Sequence, residues 1–185
     1  MKSKQYRLTK LQSRQTGQAD LRFKQLLCGR PHWGAGRYMN KIKVQFYEDN
    51  TIDDNKLEFA VILAKYQNKW IYCKHKERDT WEIPGGHREK NEEILNTAKR
   101  ELKEETGAQN FTIIPIAIYS VTVNNKTNYG KLFYSEVKEM SQNLEYEIEK
   151  IQLFDDIPDK LTYPEIQPYL YKYIVSKINR NRKEL

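Results

Sequence analysis

Cysteine is nearly absent from this chain. Cys28 and Cys73 are the only two in 185 residues, too few and too far apart for a disulfide scaffold or a zinc site. Histidine is as scarce, and His32, His75 and His87 do not stand at metal-ligand spacing with either cysteine. No stretch of about 18 apolar residues exists to span a bilayer, and no secretory leader pattern is present. These absences argue against disulfide-stapled, zinc-organised and membrane-spanning classes. They make a reducing, cytoplasmic setting the expectation, with no membrane partner.

Acidic residues are also short, but at one end. Residues 1–39 hold nine Lys or Arg and one acid, Asp20, so the formal charge of +7 arises there and the remainder is close to neutral. This predicts a basic, disordered N-terminal extension over 1–38, ahead of one domain over 39–185. Arg30 to Tyr38, with one proline and two glycines, reads as irregular chain. A short helix over 20–27 is the one element the arm suggests. Its charge allows weak contact with RNA or anionic lipid. Tyr6, Phe23 and Trp33 do not alternate with basic residues as in a recognition module, however. Sequence upstream of a true start at Met39 would have the same composition. What is present, 38% hydrophobic residues and thirteen tyrosines, suffices for one substantial core. Nothing distinguishes a monomer from a homodimer.

The chemistry is concentrated between Gly86 and Ala108, in GHREKNEEILNTAKRELKEETGA. Pro84-Gly85-Gly86 predicts a turn. A periodic stretch then predicts a helix from near Lys90 to near Thr106, stopped by Gly107. At ~100° per residue, Glu101, Glu104 and Glu105 share roughly one third of its circumference. They lie beside an apolar stripe of Ile94, Leu95, Ala98 and Leu102. Three like charges repel one another, and the helix C-terminus disfavours anions. A stable fold has no need of that arrangement. A hard divalent cation, Mg²⁺ or Mn²⁺, would relieve it. ELKEE alone is most often a solvated helix face, so the longer spacing has to decide.

That spacing resembles the Nudix hydrolase family, whose box reads G-x5-E-x7-R-E-U-x-E-E-x-G-U with U apolar. Gly86, Glu92 and the run Arg100-Glu101-Leu102-Lys103-Glu104-Glu105-Thr106-Gly107-Ala108 match it at every fixed position, with Ala108 a small residue in the last apolar place. The resemblance covers residues 41–178. It implies an α/β fold: an α/β/α sandwich with a mixed sheet and a loop-helix-loop catalytic motif. It also implies metal-dependent hydrolysis of pyrophosphate linkages. Glu101, Glu104 and Glu105 would be metal ligands, joined by the Gly85 carbonyl. Arg100 would orient a glutamate, and Glu92 would complete the network unless it is simply a first-turn acid favoured by the helix dipole. The general base stays open between Glu101, Glu104 and a glutamate from a distant loop. Glu145 and Glu147 are candidates for that base or for an extra ligand. Glu82 is expected at the site rim, His87 on the surface of the box loop, and Lys99 and Lys103 in solvent beside nearby acids.

The remaining body reads as strands over 41–47, 57–66, 70–75, 81–83, 111–123, 129–137 and 151–154. Turns are expected at 67–69 and 124–128, an irregularity at Pro115, a polar loop over 139–146, and a helix over 163–178. WEIPGG at 81–86 and LFDDIP at 153–158 resemble the MutT-type branch, whose members remove oxidised purine nucleoside triphosphates as monophosphate and pyrophosphate. An 8-oxo-dGTP diphosphatase is therefore the leading expectation. An RNA 5′-pyrophosphohydrolase, or a hydrolase of another nucleoside diphosphate derivative, would use the same box. A nucleotide sensor or RNA-associated protein is the non-enzymatic alternative, disfavoured by the intact acidic set. Trp81, Tyr119, Phe133 and Phe154 are candidates to stack on a base, though aromatics of this kind more often fill a core.

Overall fold

Leu57–Tyr66 is almost continuously apolar and becomes the central strand, buried on both faces. The computed structural model describes residues 42–141 and 148–181. The basic arm, its 20–27 helix, Glu145 and Glu147 lie outside the described residues. Among the described residues the chain forms β1 (Lys43–Tyr47), β2 (Leu57–Tyr66), β3 (Lys69–His75), β4 (Gly85–His87), α1 (Ile94–Thr106), β5 (Ala108–Val123), β6 (Lys126–Met140), β7 (Ile148–Phe154) and α2 (Gln167–Asn181). The sheet runs β1-β5-β6-β2-β3-β7, with β4 also on β2. β2 and β6 are parallel and the other pairs antiparallel, so the sheet is mixed as expected.

Two hairpins fix its register. Gln67-Asn68 and Asn124-Asn125 all adopt positive φ, between 49° and 64°, which suits two-residue turns matched to strand twist. The second turn is therefore shorter than the five residues expected, and β6 begins at Lys126. Pro115 does mark an irregularity: the β5–β6 register shifts between Pro115 and Ala117. The polar stretch expected to loop from Glu139 instead extends β6 to Met140.

The sheet is packed on both sides. One core contains Ala60, Ile62, Ala64 and Phe133 with Ile94, Ala98 and Leu102 of α1. Alanines at the contact let α1 approach β2 closely. The other contains Leu63, Tyr72, Leu132 and Tyr134 with Leu170 and Ile174 of α2. Strand alternation thus sends successive residues into opposite layers, giving the expected α/β/α sandwich.

The segment entering α1 departs from the sequence reading. Trp81–Ile83 is not a regular strand, and where a turn is expected at Pro84–Gly86 the chain bends at Pro84 and is extended from Gly85. β3 leaves β2 after their shared hairpin, and residues 82–87 fill the gap. Cys73 and Glu82 exchange backbone hydrogen bonds at 3.0 and 2.9 Å on one side. Pro84 accepts from Ile62 at 2.8 Å on the other, and Gly85–His87 pair with Phe59–Val61. The helix also starts later than expected, at Ile94, after Asn91 at φ 63° and an extended Glu93. Glu92 therefore precedes the helix and is not a first-turn acid. At the other end Gly107 caps as expected, with φ 72° and its N–H on the Lys103 carbonyl at 2.9 Å.

This wedge makes Gly85 sterically specific. A Cβ there would lie 2.4 Å from the Ala60 carbonyl oxygen and 3.0 Å from the Val61 Cα, both backbone. Gly85→Ala must push β4 off β2. We expect a loss of about 1–3 kcal/mol, the usual scale of overpacking, read as a lower urea midpoint with an unchanged slope. An unchanged midpoint would show that the strand pair opens freely.

Candidate active site

Arg100, in the middle of α1, ties the acidic residues together. Its Nε and Nη2 donate to the two oxygens of Glu92, each at 3.0 Å. Nη1 donates to Glu101 at 2.6 Å and to Glu104 at 3.2 Å, and Nη2 also reaches the His87 carbonyl at 3.0 Å. The planar guanidinium suits such a fork, as a lysine would not. Glu92 further accepts from the Glu89 N–H at 3.1 Å and the Thr97 hydroxyl at 2.8 Å. Burial alone would raise its pKa, but the Arg100 fork and these donors outweigh it and hold Glu92 below the usual carboxylate range.

Glu101 shows the opposite balance. Burial, then the charge of Glu105, pushes its pKa up to about 8 against the pull of Arg100. Its carboxylate lies against Gly86, where a Cβ would come within 2.4 Å of the carboxyl carbon. The box glycine thus leaves room for this acid beside the backbone. Glu104 is also raised, by burial first, with Arg100 opposing. Its side chain is 38% exposed against 12% for Glu101.

Glu105 points to the other side, under the wedge. Its Oε2 accepts from the Gly85 N–H at 2.9 Å and from the Cys73 thiol at 3.6 Å. Oε1 lies 3.7 Å from His75 Nε2, which stands 3.1 Å from Glu82 Oε1. Gly85 faces Val61 between the hydrogen-bonded pairs 60–86 and 62–84, so its N–H and C=O both point away from β2. Burial, followed by the charges of Glu105 and Glu82, raises the Cys73 thiol well above its ordinary value, so this cysteine is not a nucleophile.

The donor set fits a hard cation in kind. It consists of carboxylates crowded on one helix end with a backbone carbonyl beside them. Burial, and then the charge of Glu105, hold the Glu101 pKa up, which a bound cation would oppose. Among the described residues, no three His, Cys, Asp or Glu side chains converge as a ready ion cage. Arg100 instead occupies Glu101 and Glu104, while Gly85 occupies Glu105. Binding would need Glu101 and Glu104 to turn from Arg100 toward the ion.

The structure thus brings Glu92, Glu101 and Glu104 onto Arg100 alongside α1, and Glu105 onto the Gly85 N–H. Other expectations change. Glu82 is not at a rim but buried, at 7% exposure. His87 is half-buried, its ring 4.0 Å from Phe59, because it continues β4. Phe133 and Tyr119 are core residues and unavailable for stacking on a base. Trp81 packs edge-on against Phe154 at 5.1 Å. Cys73, His75 and Glu82 were missed as a group. Cys73 and His75 two apart on a strand were the available signal, since such residues share a face. Beyond His87 lies an open depression of about 430 Å³, bordered by Asn55, Glu58, His87, Arg88 and Lys90. Among the described residues no helix is long and apolar enough to cross a membrane.

Comparison with known proteins bears on this geometry. The family model for the NUDIX domain matches residues 52–173. YtkD of Bacillus subtilis (strain 168), provisionally named an 8-oxo-dGTP diphosphatase, is 28% identical over 126 residues, covering 68% of this chain and 78% of that protein. A mutant form of the Bacillus subtilis pyrophosphohydrolase BsRppH superposes with TM-score 0.63 at 21% identity, over 77% of this chain and 95% of that one. A NUDIX hydrolase from Nitrosomonas europaea gives TM-score 0.54 at 23% identity, over 65% and 90%. These two likenesses are of fold.

Proposed function

The chain belongs to the Nudix family of pyrophosphohydrolases, and on that premise we propose that it hydrolyses oxidised purine nucleoside triphosphates of the 8-oxo-dGTP kind to nucleoside monophosphate and pyrophosphate, with Mg²⁺ or Mn²⁺. The observation that carries the reading is that Glu101 lies against Gly86 and Glu105 on the Gly85 N–H, with Glu104 sharing Arg100 with Glu101. The likeness to YtkD and the WEIPGG segment at 81–86 support the substrate class.

We assign metal binding to Glu101, Glu104, Glu105 and the Gly85 carbonyl. When bound, such an ion neutralises phosphate oxygens and lowers the pKa of water. The chain's own residues do the rest. Arg100 and Glu92 fix the acidic face relative to the box loop. Glu104 is the most open of the three, and so the one that water and substrate reach most readily. The depression beyond His87 gives room for the nucleoside.

The test is a product analysis with 8-oxo-dGTP, dGTP, ADP-ribose, diadenosine polyphosphate and triphosphorylated RNA. The expected result is monophosphate plus pyrophosphate, abolished by EDTA, with kcat/KM at least ~10-fold higher for the oxidised nucleotide, about 1.4 kcal/mol of discrimination. Diphosphate plus orthophosphate as the sole first products would sink α–β cleavage. Faster hydrolysis of triphosphorylated RNA would move the assignment to RNA 5′ ends.

A further inference from the structure

His75 stands on β3, outside the box, and none of the roles assigned so far uses it. It is 9% exposed, and its neighbour Glu82 is 7% exposed. Its Nε2 lies 3.1 Å from Glu82 Oε1 and 3.7 Å from Glu105 Oε1. An imidazole nitrogen this close to two carboxylate oxygens is best accommodated as the N–H tautomer, since a bare lone pair there would repel both. Glu82 is itself anchored: its Oε2 accepts from Arg78 Nη1 at 3.3 Å, and that nitrogen also lies 3.4 Å from the Tyr163 hydroxyl. A continuous polar line therefore runs from Tyr163 through Arg78, Glu82 and His75 to Glu105.

The line ends on a side chain that needs holding. A glutamate has three rotatable bonds, and Glu105 lies close enough to Glu101 for their charges to interact strongly. Gly85 and Cys73 hold one of its oxygens. His75 lies behind the other. We propose that His75, anchored by Glu82 and Arg78, is a positioning residue that keeps the Glu105 carboxylate oriented for divalent-metal binding. This rests on the metal reading of the acidic face. Partners behind a metal ligand commonly govern affinity in this way, at about 10–100-fold per residue.

The experiment is calorimetric titration of Mn²⁺ into the EDTA-stripped full chain, with melting curves recorded on each protein. His75→Leu fills the space but cannot donate, and should weaken Mn²⁺ binding by roughly 10–100-fold. His75→Gln keeps an amide donor near the Nε2 position and should regain most of that loss. A folded His75→Leu protein with parental affinity overturns the proposal, as does His75→Gln binding no better than His75→Leu. If His75→Leu does not fold, the near-isosteric Glu82→Gln tests the anchor and should weaken binding several-fold; parental affinity there overturns it. Absence of Mn²⁺ binding by the parent overturns the metal reading along with this one. Parental binding with unaffected variants overturns this one alone.

Discussion

Glu101→Gln is expected to give a protein that is more stable without metal and at least ~100-fold slower with it, the scale of losing a key electrostatic group. Glu101 is buried against Gly86 beside Glu105, and its pKa stands near 8 in the fold against 4.5 as a free side chain. Between these values the folded state holds a proton that the unfolded state has released. Stability of the metal-free parent therefore falls as pH rises from about 4.5 to about 8 and levels off above. Each tenfold difference in proton affinity is worth about 1.4 kcal/mol. Glu101→Gln should thus recover on the order of a few kcal/mol at pH 8, the pull of Arg100 being already contained in the pKa. Below pH 4.5 the two proteins should differ little. Urea titrations in EDTA across this range measure the stability, and saturating Mg²⁺ should flatten the parent's pH dependence. A parent whose metal-free stability rises over pH 5–8, or a variant with near-normal turnover, would remove Glu101 from the proposed site.

The same contrast explains what was legible in the sequence. The box spells out Glu92, Arg100, Glu101, Glu104 and Glu105 because the chemistry places them on one helix and the loop before it, where spacing along the chain equals spacing in space. β2 was legible to the residue because a strand covered on both faces must be apolar throughout. Gly85–His87 was not, because a three-residue strand has no periodicity and its glycines suggest a turn. Its extended form comes from the gap between β2 and β3, a tertiary fact. The late start of α1 follows from Asn91 at positive φ, which any polar loop conceals. The Cys73–His75–Glu82 group is drawn from β3 and the wedge, joined to α1 by folding alone. No local pattern announces such a group, and only the strand-face rule for residues 73 and 75 pointed toward it.

Arg100→Ala should strongly destabilise the fold. The guanidinium donates to both oxygens of Glu92, to Glu101, to Glu104 and to the His87 carbonyl. Its side chain is 24% exposed and those of Glu92 and Glu101 are 15% and 12% exposed, so water replaces little of what is lost. Removing one partner of such a buried network typically costs about 3–5 kcal/mol, because the remaining charges stay buried without compensation. The box loop should loosen with it, since Arg100 joins α1 to both the His87 carbonyl and Glu92. Arg100→Lys should recover little: a compact ammonium supplies the charge but cannot span Glu92 and His87 at once. If the acidic face is a cation site, Mg²⁺ should stabilise Arg100→Ala more than the parent, because the ion then supplies charge that the arginine no longer provides. Thermal melts of the three proteins, each with EDTA and with saturating Mg²⁺, measure both effects. Full rescue by lysine would reduce Arg100 to a point charge. A Mg²⁺ increment no larger in Arg100→Ala than in the parent would mean that arginine and metal do not answer the same carboxylates.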